Sequence, residues 1–146
     1  MSIWFTEYTV PELNKHNQDC MVSHCGIEIT EVTNNSLIGV MQVDERTRQP
    51  FGILHGGANC VLAESLGSIA ANLTCDANQS HAVGLSITTN HVKATRNGEI
   101  KGIARPLHIG KTTQVWEIKT YNKSEQLTSS TTLTMAIVKK IHSTKV

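Results

Sequence analysis

The spacing of apolar and polar positions changes character twice along the chain. From Gly26 to Val43 it alternates. Ile27, Ile29 and Val32 form one run, Leu37, Val40, Met41 and Val43 another, and Asn34-Asn35 lies between them. A period of two interrupted by a turn pair predicts a β-hairpin. Residues 44–50 are polar and read as a loop. From about Leu54 to Leu73 the pattern becomes helical. Ala58, Val61, Leu62, Ala63, Leu66, Ile69, Ala70 and Leu73 leave almost no polar side, and a helix that is apolar all round is buried. Gly56 and Gly57 suit a tight turn into that helix. After Asp76-Ala77-Asn78, strand-like runs return over roughly 82–94, 99–106, 113–121 and 127–138. Asn97-Gly98 between the first two predicts a hairpin, and Tyr121-Asn122-Lys123-Ser124 marks another turn. Upstream, Thr9-Val10-Pro11-Glu12-Leu13-Asn14 predicts a short helix, with Thr9 as cap and proline in the first turn.

The expected order is a hairpin, one long buried helix and four antiparallel strands. No linker or repeat interrupts it, so residues 1–146 are expected to form a single α+β domain. A single buried helix needs cover on most sides. A curved antiparallel sheet supplies part of it, and a second copy of the chain is expected to supply the rest. A long central helix wrapped by such a sheet is the hotdog architecture.

Composition narrows the function. Hydrophobic residues make up 39% and charged residues 17%, which is globular composition. A formal net charge of +1 gives no footprint for nucleic acid or an anionic membrane. No apolar run has membrane-spanning length, and no signal-peptide pattern is visible, so a cytoplasmic location is expected. Cys20, His24 and Cys25 match no zinc template, and no metal is expected. No serine occupies a G-x-S-x-G elbow.

The chemistry concentrates in Gln49–Ser68. At His55-Gly56-Gly57 the free N–H groups and the positive dipole end of the helix converge, and glycine lets a ligand approach the backbone. A thioester carbonyl against the Gly56 N–H would be polarised there. Glu64 is the only charged side chain between Arg48 and Asp76 and lies in the apolar helix. It should be paired, protonated or facing a cleft, where it can act as nucleophile or general base. Ser68, four residues on, shares its face. Gln49 can donate to a carbonyl. The ordinary readings are a glycine turn, an exposed glutamate stripe and a solvated loop glutamine. Gly56 and Glu64 are separated by about 12 Å along a regular helix, with His55 half a turn out of phase with Glu64. If both ends act on one thioester, Glu64 must come from a neighbouring copy, with the two helices antiparallel.

The run Gln49-Pro50-Phe51-Gly52-Ile53-Leu54-His55-Gly56-Gly57, with Leu62-Ala63-Glu64-Ser65 and Gly67-Ser68, closely resembles hotdog-fold acyl-CoA thioesterases of the phenylacetate-degradation and 4-hydroxybenzoyl-CoA type. It is most similar to the branch that includes 1,4-dihydroxy-2-naphthoyl-CoA thioesterase and the enterobactin-pathway proofreading thioesterase. The similarity extends through Val43-Asp44, Arg46-Thr47, Val83-Gly84-Leu85, Asn90-His91-Val92, Pro106-Leu107-His108 and Gln114-Val115-Trp116. The resemblance implies hydrolysis of acyl or aroyl thioesters, a place in menaquinone biosynthesis, and no cofactor beyond the coenzyme A of the substrate. It also implies a homodimeric active site within a homotetramer built as a dimer of dimers, and an acyl or aryl carrier protein as an alternative donor. By resemblance Glu64 is the catalytic carboxylate, flanked by Ser68. Gly56 polarises the carbonyl, Gln49 faces that carbonyl or the attacking water, and His55 holds the substrate end. Coenzyme A contacts fall on Gly84, on His91, Val92, Lys93 and Ala94, and on His108, Ile109, Gly110, Lys111, Thr112 and Thr113. Lys93, Arg105 and Lys111 carry the charge for phosphates. Lys93 stands where relatives often have arginine, so a bidentate contact is not expected there.

Two other functions compete with hydrolysis. A hotdog dehydratase pairs histidine and acid differently. A ligand-sensing acyl-CoA module has no need for a carboxylate in an apolar helix. His81 and His142 are expected at the surface, and His91 follows the alternation of its strand. With 4% aromatic residues, no stacking wall identifies the acyl group.

Overall fold

A computed structural model describes residues 1–140. Helix α1 (Val10–His16) and the single turn α2 (Met21–His24) precede a hairpin of β1 (Ile27–Val32) and β2 (Leu37–Gln42). Helix α3 (Gly56–Leu73) follows, then β3 (Ser80–His91), β4 (Glu99–Ile109), β5 (Thr113–Tyr121) and β6 (Leu127–Lys139). His142 lies outside the described residues.

The six strands form one antiparallel sheet in the order β1-β2-β4-β5-β6-β3. α3 lies across it and touches β2, β3, β4, β5 and β6. Leu62, Ala63, Leu66 and Ala70 meet Ile100, Ala104, Trp116, Ile118, Leu133 and Met135, all at 0% exposure. The approach is close because Leu66 packs over Gly39 and Gly102. A Cβ there would stand 2.8 and 2.6 Å from its methyl carbons. β5 and the first half of β4 alternate buried and partly exposed positions, as a strand with one core face should.

Two expectations need correction. Asn97-Gly98 turns the chain, with Gly98 at φ +85°, but β3 and β4 do not pair. β4 runs between β2 and β5, while β3 pairs with β6 at the far edge. The dipeptide encodes a local turn; which strands meet is set by where each can bury its apolar face. Second, α3 is not buried all round, for Glu64, Ser65, Ser68 and Ile69 are only partly covered. That open side adjoins β3, of which only Ala82 is buried. The glycines do stand at the helix entry, as expected, with His55 as N-cap and Gly56 and Gly57 in the first turn.

The N-terminal segment forms a strap. Ile3 N–H donates to Asn34 O at 3.0 Å and Phe5 N–H to Leu73 O at 2.8 Å. The Trp4 ring stacks on Trp116, with centroids 6.3 Å apart. Among the described residues, no helix is long and apolar enough to cross a membrane.

Candidate active site

The first functional cluster surrounds the start of α3. His55 is its N-cap, and its Nδ1 accepts the Gly57 N–H at 2.8 Å. That bond consumes one of the donors expected to face a ligand. The Gly56 N–H has no acceptor among the described residues. Gln49 precedes the turn; its Oε1 accepts the Phe51 N–H, leaving its Nε2 as the free donor end. The His91 ring rests on the same helix start: a Cβ on Gly56 would lie 3.0 Å from His91 Nε2. Gln49, Gly56, Asn59, His91, Val92, Lys93, Ala94 and Thr95 line one cavity of about 350 Å³. It holds donors, a helix-dipole end and no carboxylate, so it suits an oxygen carrying negative charge.

The second cluster lies two turns along α3. Ser68 Oγ donates to Glu64 Oε1 at 2.9 Å, which stabilises and orients the carboxylate. Gly84 of β3 covers it, and a Cβ there would stand 2.7 Å from Oε1. β3 is held at this height by Asn72, one further turn along. Its Nδ2 donates to Ala82 O at 3.0 Å and its Oδ1 accepts the Ala82 N–H at 2.9 Å. Gly84 thus forms the roof over Glu64, a contact its sequence context did not reveal.

A cavity of about 740 Å³ begins at Ser68 and runs between α1 and the second half of α3. Leu13, Ile69 and Leu73 give it apolar walls, and Tyr8 and Asn17 place polar groups in it. Burial, aided by the neighbouring Cys75 thiol, raises the Tyr8 phenol above its ordinary pKa. It therefore presents a neutral hydroxyl. A smaller cavity on the other flank of Glu64 is lined by Met21, Cys60 and Ile87.

The remaining expected contacts do not converge within one chain. His91 pairs with Ser129 at one end of β3, whereas Gly84 pairs with Met135 near the other. Seven residues of strand separate them, about 23 Å. The loop from His108 to Thr113 lies at the Gly84 end, since Thr113 pairs with Ala136 and Ala136 with Val83. Its turn is closed by Gly110 N–H donating to Thr113 O at 2.9 Å, and Thr112 O accepts the Ile137 N–H. Lys93, Arg105, Lys111 and His81 are exposed. Each chain thus carries a donor-lined half at the His91 end of β3 and a carboxylate half at the Gly84 end.

A six-stranded antiparallel sheet around one helix, with a carboxylate in that helix and a donor-lined helix start, defines a hotdog-fold thioester hydrolase. The comparisons agree. Residues 51–129 match the Thioesterase superfamily. The chain is 42% identical over 136 residues to 1,4-dihydroxy-2-naphthoyl-CoA hydrolase of Escherichia coli, covering 93% of this chain and 99% of that one. It is 40% identical to the proofreading thioesterase EntH of Cronobacter turicensis over 136 residues, covering 93% and 98%. A solved structure of a Q49A mutant of thioesterase PA1618 from Pseudomonas aeruginosa superposes with TM-score 0.94 at 39% identity, covering 95% and 100%. The chain belongs to the thioesterase superfamily.

Proposed function

We propose that this chain hydrolyses acyl- or aroyl-CoA thioesters at a site completed by a second copy of itself. The observation that carries this reading is the separation of the two halves along β3. β3 is an edge strand, and it leaves Val83, Leu85 and Ile87 39%, 61% and 38% exposed. An unpaired apolar edge invites a partner strand. If two copies pair antiparallel through β3 about a two-fold axis, the His91 end of one meets the Gly84 end of the other. Gly56 and Gln49 of one chain then face Glu64 and Ser68 of its partner.

In that arrangement the thioester oxygen lies against the Gly56 N–H and Gln49 Nε2, with His55 at the rim. Glu64 takes a proton from water, whose oxygen attacks the carbonyl carbon; in the alternative route the Glu64 carboxylate attacks that carbon itself, and water then hydrolyses the resulting anhydride, which frees the acid, restores Glu64 and supplies the proton for the thiolate. Collapse of the oxyanion breaks the C–S bond, and the thiolate of coenzyme A takes up the proton. Water and the thioester suffice; no further cofactor enters. The acyl group extends past Ser68 into the larger cavity, whose apolar walls and hydroxyl and amide groups suit a hydroxylated aromatic acid. 1,4-Dihydroxy-2-naphthoyl-CoA, a menaquinone-pathway thioester, is the candidate substrate that the relatives' names support. Coenzyme A lies along His91 to Ala94 of one copy and His108 to Thr113 of the other, with Lys93 and Lys111 near its phosphates. A tetramer formed as a dimer of dimers, and use of acylated carrier proteins, extend the same reading.

The test is thiol release from a panel of acyl-CoAs and an acylated carrier protein, followed with a thiol-reactive dye. The highest kcat/KM is expected for hydroxylated aroyl-CoAs. Binding without turnover would support a sensor instead, and an enoyl product with the thioester intact would support a dehydratase.

A further inference from the structure

Asn59 lies in the first turns of α3 at 3% exposure. Its Nδ2 is 3.5 Å from His91 Nδ1, and its Oδ1 is buried without a partner. Buried amides are ordinarily satisfied, so an exception calls for a reason. The other ring nitrogen, His91 Nε2, reaches the helix start across Gly56, which leaves room for it only because it lacks a Cβ. Asn59, Gly56, Gln49 and His91 line the same cavity.

We propose that Asn59 is a positioning residue that holds the His91 imidazole over the start of α3 as its Nε2–H tautomer. His91 thereby adds a third donor to those aimed at the thioester oxygen. This inference rests on the function proposed above. An amide NH₂ facing Nδ1 requires that nitrogen to accept, and a neutral imidazole then carries its proton on Nε2. Reversing the amide would leave both N–H donors of Nδ2 orphaned instead of one oxygen. Unpaired buried donors are the rarer case. The tautomer decides the sign of the contribution. Nε2–H stabilises an oxyanion, whereas an Nε2 lone pair would repel it. His55 is fixed in the same sense on the same turn, since its Nδ1 accepts the Gly57 N–H. Both imidazoles at the helix start therefore have Nδ1 engaged as acceptor and Nε2 left as donor.

Nitrogen NMR of the histidine-labelled protein, above the imidazole titration and with His91 assigned by His91→Gln, reads the tautomer without substrate. Nε2–H is expected in the wild type. Asn59→Asp is nearly isosteric, and circular dichroism checks that it folds. Its carboxylate only accepts, so above the imidazole titration the His91 proton is expected on Nδ1, as the other neutral tautomer, which leaves Nε2 without its hydrogen. Asn59→Ala is expected to give a mixture of neutral tautomers. Loss of one oxyanion donor lowers kcat by about 10²-fold, so Asn59→Asp is expected to lose kcat on that scale with KM little changed. The same His91 tautomer in wild type and Asn59→Asp would overturn the positioning role. An altered tautomer with unchanged kcat would overturn the donor role. If no thioester is hydrolysed at all, the proposed function fails, while the NMR result still judges the Asn59–His91 couple.

Discussion

Replacing Gly84 with alanine adds one methyl group directly above the Glu64 carboxylate. The new Cβ would stand 2.7 Å from Oε1. Ordinary carbon–oxygen contacts are about 3.3 Å or longer, so the carboxylate must withdraw by roughly 0.6 Å. The backbone has no reason to resist, because Gly84 is not among the glycines at positive φ. The displaced atom ends a flexible side chain, so folding should change by less than about 1 kcal/mol, as for most exposed substitutions. Activity is far less tolerant. A 1 Å misplacement of a reacting group costs about 10²-fold, and the Ser68 bond at 2.9 Å is strained by the same shift. Gly84→Ala is therefore expected to lower kcat at least about tenfold while leaving Tm and the oligomer size near wild type. Thiol release from benzoyl-CoA and thermal melts read both quantities. A kcat within twofold of wild type, or loss of kcat accompanied by unfolding, would refute the reasoning.

Ser68→Ala removes the hydroxyl donor that orients Glu64; a misplaced reacting group is costly in rate, so kcat is expected to fall at least about tenfold while the protein stays folded by circular dichroism. Ile69→Trp narrows the cavity past Ser68. It is expected to reduce kcat/KM for naphthoyl-CoA about tenfold relative to acetyl-CoA, measured by competing the two substrates. Leu85→Asp places a charge on the exposed edge strand. It is expected to yield inactive monomers by size-exclusion chromatography with near-native circular dichroism. Leu66→Ala, fully buried between Gly39 and Gly102, is expected to destabilise the fold by about 2–5 kcal/mol in denaturant melts.

Much of this was legible in the chain. Helix α3 and the strands announce themselves by period, because each buries a face against the same core. Their ends fall within three residues of the expected positions. Glu64 stood out as a lone charge in an apolar helix, and the distance to Gly56 separated the two half-sites before any coordinates. What the sequence withheld was non-local. Nothing near Asn97-Gly98 says that β3 crosses to the β6 edge, because strand pairing depends on residues far apart. The Trp4 strap needs its partner Trp116 to be meaningful. Gly84 reads as any strand glycine until Asn72 clamps β3 above Glu64. Asn59 was the missed signal: the same reasoning that singled out Glu64, a polar side chain in an apolar helix, applies to it.

The composite site is tested most directly by mixing two defective chains, Glu64→Ala and Gln49→Ala. Each homodimer carries its lesion at both sites. A two-fold heterodimer places both lesions at one site and none at the other, so random one-to-one mixing should restore about a quarter of wild-type activity. Thiol release measured after subunit exchange is expected to rise well above the mean of the two parent variants. Activity that stays at that mean, with heterodimers confirmed by mass spectrometry, would contradict a site shared between subunits.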